Sequence, residues 1–220
     1  DIEQLILGAK DAQKFCLEES FSNPLLLAAE FLYHLKKEQN INQTVVMPYS
    51  SKLRSFSFWF TQLWAESLGK KKNIEGEIIH TGFTPVVAYG ATDQHSQMQL
   101  FMEGPKDKCF ILIEVDSFEH DFKLATSHLI SNNLQKLSGF SLAQLMQAEF
   151  AGTLMALQEN KSPILHLKIA KNDEFHLGAL IVYFEALTVL MGDYLMIDPF
   201  DQPGVEAAKL HAFHFLNQLK

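Results

Sequence analysis

The sequence predicts an α/β protein with a doubly wound, mostly parallel sheet flanked by helices. Two observations lead to this class. Apolar runs of strand length alternate with longer segments of helical character. The chain also has 220 residues, of which 47% are hydrophobic, and no repeat or low-complexity linker divides it. We therefore expect residues 1–220 to form a single domain with a sizeable core.

Four short runs predict the strands of this sheet. They are Thr44–Pro48 ("TVVMP"), Pro85–Gly90 ("PVVAYG"), Cys109–Val115 ("CFILIEV") and Pro163–Ala170 ("PILHLKIA"). The second and third are continuously apolar, as strands buried on both faces should be. Ligands of such folds gather beyond the carboxyl ends of the strands, so the residues that follow Tyr89 are the first place to look for a site.

Capping residues mark where the helices begin and end. One helix should begin at Pro24, which suits a first turn and follows the potential caps Ser22 and Asn23. Another is expected from about Ser51 to Gly69, with the glycine as its C-cap. Further helical segments are expected from Asp93, Thr126 and Ser141, and two more helices close the chain.

Charge and hydropathy argue against two classes of partner. The net charge of -8 disfavours nucleic acid, which is bound through clustered Lys and Arg. The one basic run, Lys70–Lys72, is typical of a solvated helix end. The longest apolar run, Leu177–Met191, contains Glu185 and is short for a bilayer. We therefore predict a buried helix there and expect no membrane partner.

Cysteine and histidine usage favours a reducing compartment and no metal centre. Cys16 and Cys109 are the only cysteines and form no CxxC pair, so we expect a cytoplasmic protein without a cysteine-rich zinc site. His211 and His214 are three residues apart without carboxylates at ligand spacing. No glycine-rich nucleotide loop and no GxSxG elbow occurs either.

The stretch "GATDQHSQ" follows the second predicted strand and carries a candidate acid–base group. Thr92 or Asp93 could cap a helix there. His95 would then lie in the first helical turn, where the positive end of the dipole favours a neutral imidazole. A neutral imidazole can accept or relay a proton. A capped helix with an exposed histidine is the alternative interpretation.

A second candidate lies in "QLWAESLGKK". Gln62 and Glu66 are four residues apart and so share one face of a helix. Glu66 falls near the C-terminal end, where the dipole opposes a negative charge. Such a carboxylate, flanked by Trp64, suits a base that must hold a proton briefly. A surface glutamate on an amphipathic helix is the alternative.

The third candidate is "FDQPGVEAAK", close to the end of the sequence. The residues Asp198–Phe200 predict a turn, and Pro203 suits the start of a helix that Val205 would anchor. Gln202 then lies at the helix entrance, and Lys209 lies about two turns along.

Together the three stretches resemble the glucose-6-phosphate isomerase (phosphoglucose isomerase) family. Its Glu-Ser-Asn-Gly-Lys motif is similar to Glu66–Lys70, and its glycine-rich turn ending in Gln-His is similar to Gly90–His95. Its Asn-Pro-Phe-Asp-Gln-Pro-Gly-Val-Glu motif with a following lysine is similar to Asp198–Glu206 with Lys209. The motif order agrees over nearly the whole chain.

The sequence departs from the family pattern at three positions and in one larger respect. Leu68 and Asp198 each replace an asparagine, and Ala208 replaces a glycine and could crowd a close backbone approach. The family also has an earlier domain with a phosphate-binding Ser/Thr set and a Gly-Gly-Arg motif, neither of which occurs here. The resemblance therefore covers only the second, C-terminal sugar-isomerase (SIS) domain.

The resemblance implies reversible conversion of glucose 6-phosphate to fructose 6-phosphate without metal or organic cofactor. Glu66 would be the base that moves a proton between C1 and C2 through a cis-enediol. His95 and Lys209 would assist ring opening, and Gln62 and Gln202 would hydrogen-bond the sugar phosphate. A non-catalytic regulatory SIS module that binds sugar phosphates is the alternative.

The resemblance also implies partners. The chain begins at Asp1 rather than Met, as a fragment or processed piece would. We expect it to need an N-terminal SIS domain and to be inactive without it. A helix after a parallel strand runs back toward the opposite edge of the sheet, which would separate Glu66 from His95. A homodimer with shared active sites, also implied by the family, would bring them together.

Overall fold

The fold is built around a parallel sheet of four strands. A computed structural model describes residues 1–124 and 132–219. The strands are β1 (Gln43–Pro48), β2 (Lys70–Lys72), β3 (Ile78–Thr81), β4 (Thr84–Val87), β5 (Lys108–Ser117) and β6 (Ile164–Lys171). The helices are α1 (Ile2–Cys16), α2 (Pro24–Gln39), α3 (Arg54–Leu68), α4 (Met98–Glu103), α5 (Asn132–Gln135), α6 (Leu142–Glu159), α7 (Glu174–Tyr194) and α8 (Pro203–Gln218).

The main sheet has the strand order β4-β1-β5-β6, and all three neighbouring pairs are parallel. Val45 of β1 is paired with Val86 of β4 on one side and Phe110 of β5 on the other. From β1 the chain first passes to β4 on one side and then crosses to β5 and β6 on the other side, so the direction of winding reverses between β1 and β5. The predicted α/β class, with a parallel sheet flanked by helices, is confirmed.

Helices cover both faces of this sheet. Along β5, Ile111 and Ile113 face a core shared with α2, α3 and α7, whereas Phe110 and Leu112 face a second core shared with α4 and α6. This alternation follows from the two-residue period of a strand. β1 and β5 are buried on both faces because they are central.

The edge strands are less buried than the sequence predicts. The residues of β4 and most of those of β6 are partly or fully exposed. The Pro85–Gly90 run contacts the cores on both faces through Val86 and Val87, but these two residues are only partly buried, and the strand itself ends at Val87. The reason is position: an apolar run can occupy an edge as well as the centre, and strand order is not encoded locally.

Several predicted helix limits are confirmed. Asn23 caps α2 by accepting a hydrogen bond from Leu25 N at 2.9 Å, and Pro24 is the first helical residue. A 3₁₀ turn at Ser51–Leu53 leads into α3, and Gly69 is the C-cap. Ser141 caps α6 in a capping box with Gln144. The helix expected from Thr126 begins outside the described residues.

The basic run is a strand and not a solvated helix end. Lys70–Lys72 forms β2, which pairs antiparallel with β3. Gly69 takes an extended conformation that stops α3 and directs the chain into this hairpin. Lys71 and Lys72 are exposed, but Lys70 is buried, so the prediction of a solvated cluster is wrong at its first residue.

The apolar run near the end of the chain forms α7, as predicted. α7 has 21 residues and, among the described helices, is the one that is long and apolar enough, by length and composition, to cross a membrane. The prediction that this run is too short for a bilayer is therefore not supported. Core helices pass the same test. α7 packs against α1, α2 and α3, and Phe184, Leu187 and Met191 are fully buried between them and the sheet.

Candidate active site

Three of the five predicted site residues come together at the end of α3. The Gln202 side-chain amide donates a hydrogen bond from Nε2 to Glu66 Oε2 at 2.9 Å, although the two residues are 136 positions apart. Gln62 Nε2 lies 3.4 Å and 3.5 Å from the two Glu66 carboxylate oxygens. Glu66 is half-buried, while the two glutamines are exposed. The base candidate thus has two neutral amide donors around it.

The carboxylate of Glu66 accepts hydrogen bonds but has no ion-pair partner among the described residues. Among residues 1–124 and 132–219, no lysine, arginine or histidine forms an ion pair with it. Its hydrogen-bond donors are amides, which carry no charge. Its negative charge is therefore not offset by a cation among those residues, and Glu66 remains the candidate for a general base.

The last turn of α3 is fixed against the sheet by Trp64. The Trp64 indole Nε1 donates to Thr44 Oγ1 at 3.3 Å, and both residues are fully buried. Thr44 lies at the amino end of β1, so the final turn of α3 lies at the amino edge of the sheet. Glu66 belongs to this turn and shares its position.

His95 lies at the other edge of the sheet. It follows β4. Tyr89, two residues after the end of that strand, donates from its hydroxyl to the carbonyl of Arg54, the first residue of α3, at 3.3 Å. Twelve helical steps separate Arg54 from Glu66, which is about 18 Å at 1.5 Å per residue. Within one chain the structure therefore does not bring His95 to Glu66.

The local structure around His95 differs from the prediction. The residues Thr92–Gln94 form a 3₁₀ turn with His95 at its end, and α4 begins only at Met98. His95 is exposed and is not in the first turn of a helix, so the expected dipole effect on it is not supported. The cause is Asp93, whose carboxylate accepts from Tyr89 N at 2.8 Å and from the Ser96 hydroxyl at 2.6 Å and so closes a tight turn.

Gln94 is a site-supporting residue for which the sequence analysis assigned no role. Its Nε2 donates to the Tyr49 hydroxyl at 2.9 Å and to Thr153 Oγ1 at 2.7 Å. These bonds join the turn that carries His95 to the residue after β1 and to α6. Because the partners are 45 and 59 residues away, no local pattern could identify them.

Lys209 lies on α8, a helix whose described side chains are all exposed. Every described side chain from residue 201 to residue 219 is exposed, and Val205 retains 41% of its accessible surface, so it does not anchor the helix as predicted. Large apolar side chains are exposed on α8 and just after it: Leu210, Phe213, Phe215, Leu216 and Leu219. Gln202, at the N-cap of this helix, is the residue that reaches Glu66.

Lys70 is a further residue whose role was missed. Its ammonium group donates to the Glu66 carbonyl oxygen at 2.9 Å and also to the Asp201 carbonyl oxygen. A lysine directly after a glycine C-cap is within reach of the last helical carbonyls, which is a signal the sequence does contain. Over the described part of the chain, no group of three His, Cys, Asp or Glu is placed to hold a metal ion.

Comparison with known proteins agrees with the motifs. A family model described as "Phosphoglucose isomerase" matches residues 1–220. The chain is 38% identical to a "Probable glucose-6-phosphate isomerase" of Methanococcus maripaludis, over 100% of the chain and 47% of that relative. It is 36% identical to a "Glucose-6-phosphate isomerase" of Carboxydothermus hydrogenoformans, over 99% of the chain and 47% of the relative. The chain thus spans about half the length of these curated relatives.

Solved structures share the fold. A "hypothetical protein" from Thermus thermophilus superposes with a TM-score of 0.91 at 32% identity, over 98% of this chain and 50% of that one. A "glucose-6-phosphate isomerase from Chlamydia trachomatis" superposes with a TM-score of 0.85 at 23% identity, over 98% of this chain and 43% of that one. The second likeness is evidence for the fold alone.

Proposed function

Because the chain belongs to the phosphoglucose isomerase family, we propose that it forms the C-terminal SIS domain of an enzyme that reversibly converts glucose 6-phosphate to fructose 6-phosphate. The observation that carries the proposal is the 2.9 Å hydrogen bond from Gln202 to Glu66. It joins two of the three motifs at one carboxylate, although 136 residues separate them. Two motifs retained by chance would have no reason to meet at a carboxylate that can act as a base.

The proposed reaction is a proton transfer between adjacent carbons of the open-chain sugar. The Glu66 carboxylate removes the proton from C2, the C–H electron pair forms a double bond to C1, and the C1 carbonyl oxygen gains a proton to give the cis-enediol. Return of the proton to C1, with loss of the C2 hydroxyl proton, gives the ketose. No electron acceptor or metal is required by this chemistry.

Gln62 and Gln202 are assigned the role of orienting the Glu66 carboxylate and the sugar. In the free chain the Gln202 and Gln62 amides are directed at the carboxylate of Glu66. Each amide has two N–H donors and a carbonyl acceptor, so each can hold Glu66 and still hydrogen-bond a sugar hydroxyl. Holding the base within reach of C2 is a positional contribution to the rate.

Ring opening is assigned to His95 and Lys209 on the similarity to the family. His95 lies at the opposite edge of the sheet from Glu66, so the proposed enzyme is a homodimer in which each site takes His95 from the partner subunit. An N-terminal SIS domain would bind the sugar phosphate. We propose a cytoplasmic enzyme that needs no nucleic acid or membrane partner.

A glutamine substitution at Glu66 tests the proposal. In the full-length protein, Glu66→Gln keeps the shape of the side chain but removes the base, so turnover should fall roughly 10²-fold or more. Turnover is followed in a coupled assay, and proton exchange at C2 is followed in labelled water. The 220-residue chain assayed alone should show no turnover at an enzymatic rate, since about half of the relatives' length is absent from it.

The matched control is Glu103→Gln. Glu103 accepts a hydrogen bond from Gln99 at 2.8 Å in the same four-residue helical spacing as Gln62 and Glu66. This control should retain parental turnover. Exchange at C2 that continues at the parental rate in Glu66→Gln would exclude Glu66 as the base. A parental protein that binds sugar phosphate without turning it over would instead be the regulatory module.

A further inference from the structure

Lys70 is a buried lysine at the junction of two segments that carry the candidate site. Its side chain is 5% exposed, whereas its neighbours Lys71 and Lys72 are exposed. Burying an ammonium group is unfavourable unless its charge and all of its donors are matched by acceptors. A lysine in this position therefore needs a compensating set of contacts.

Three oxygens provide that set. The Lys70 ammonium donates to the Glu66 carbonyl at 2.9 Å and to the Asp201 carbonyl, and it lies 3.3 Å from Asp201 Oδ1. Two of the three N–H donors of the ammonium are thus hydrogen-bonded to carbonyls, and the Asp201 carboxylate balances its charge. One partner is in the last turn of α3 and the other two belong to the residue before Gln202.

The same two segments are joined a second time by the hydrogen bond from Gln202 to Glu66. Lys70 holds the backbone of residues 66 and 201, and Gln202 and Glu66 meet through their side chains. From residue 201 onward the described side chains are exposed, and α8 gives this segment no buried anchor among them. Lys70 is therefore a second contact, besides the Gln202–Glu66 hydrogen bond, that holds the Asp201 segment beside the last turn of α3.

We propose that Lys70 is a positioning residue that holds Gln202 against Glu66 in the orientation needed for proton transfer. The inference rests on the proposed function, but its geometric part can be tested without catalysis. Lys70 does not contact the carboxylate, so it acts through the placement of Gln202 and not on the substrate.

The geometric test uses the 220-residue chain labelled with ¹⁵N. In the parent, Glu66→Ala should shift the side-chain amide resonances of Gln202, because the acceptor is removed. In a Lys70→Met background the same change should leave those resonances unmoved, since Gln202 is no longer held there. Lys71→Met, in the same strand, should preserve the parental shift. If Lys70→Met only lowered stability, Gln202 would still contact Glu66, and Glu66→Ala would still shift the Gln202 resonances. Persistence of that shift in the Lys70→Met background would therefore overturn the proposal.

The kinetic test uses the full-length protein. Lys70→Met should lower kcat about 10- to 100-fold with KM within about threefold, because a misplaced group near the reacting centre costs rate more than binding. Lys71→Met should keep parental values. If Lys70→Met does not fold, Asp201→Asn decides the matter. Its side chain is 55% exposed, and loss of the ion pair should still reduce kcat, by about threefold or more.

The outcomes separate the two proposals. If the parent does not isomerise the sugar phosphate, the proposed function fails, and the resonance shift still decides whether Lys70 places Gln202. If the parent is active and a folded Lys70→Met or Asp201→Asn variant retains parental kcat, the positioning role is overturned while the isomerase function stands.

Discussion

Burial governs the chemistry of the cysteines at the scale of single residues. Cys109 lies in β5 with no accessible surface, and desolvation raises the pKa of its thiol from 9.0 to about 12. Cys16 is only partly buried, and burial raises the pKa of its thiol as well. A thiolate is the reactive form, so neither thiol is activated in the folded chain.

This pKa shift predicts a loss of stability at alkaline pH. Above pH 9 the Cys109 thiol ionises in the unfolded chain but not in the folded one. The free energy of unfolding therefore decreases as pH rises. Wild type should lose about 1.4 kcal/mol more per pH unit than Cys109→Ala between about pH 9.5 and 10.5. Urea unfolding at several pH values gives the free energy of unfolding of both proteins as a function of pH. Equal slopes for wild type and Cys109→Ala would contradict the raised pKa of Cys109.

At the scale of elements, α1 and α7 approach each other closely enough to require glycine. A Cβ atom at Gly178 would lie 2.0 Å from the Leu5 carbonyl oxygen, and one at Gly8 would lie 1.8 Å from the Phe175 carbonyl oxygen. No side chain fits at either distance, and the obstructing atoms belong to backbone. The two helices therefore pack backbone against backbone through a pair of glycines.

Gly178→Ala should destabilise the chain by about 2 kcal/mol or more, since α1 must move away from α7. The control is Gly152→Ala on α6, where a Cβ would meet nothing within 4 Å. This control should be neutral or up to about 1 kcal/mol more stable, because alanine has the higher helix propensity. Free energies of unfolding in urea compare the two, and equal effects would show that α1 does not constrain Gly178.

At the scale of the whole molecule, the separation of Glu66 and His95 determines what a complete site requires. The Trp64–Thr44 bond places the end of α3 at the amino edge of the sheet, and the turn with His95 follows the carboxyl end of β4. The chain also spans only about half the length of its relatives. In the proposed enzyme, a site that uses both groups therefore takes them from two subunits.

The proposed shared site predicts complementation between two inactive full-length variants. Glu66→Gln and His95→Ala each destroy every site in their own homodimers. After subunit exchange at equal mixing, half of the dimers are mixed and each contains one intact site, so about a quarter of parental activity should return. Continued inactivity after exchange has been verified by mass would place both residues in the site of a single chain.

Local signals were sufficient for much of the fold. Apolar runs of strand length predicted β1 and β5, and capping residues such as Asn23, Gly69 and Ser141 predicted helix ends to within a few positions. These signals can be read from the sequence because a cap or a strand run stabilises its own neighbourhood and needs few distant partners. The three motifs likewise identified the candidate residues before any geometry was known.

Only the tertiary structure decided which of those residues meet. Lys70 reads as one of three equivalent lysines until the Asp201 segment covers it, and β4 reads as a central strand until the sheet places it at an edge. The contact of Gln202 with Glu66 joins positions 136 residues apart. Each such contact needs two segments that are distant in the sequence, and a local pattern contains only one of them.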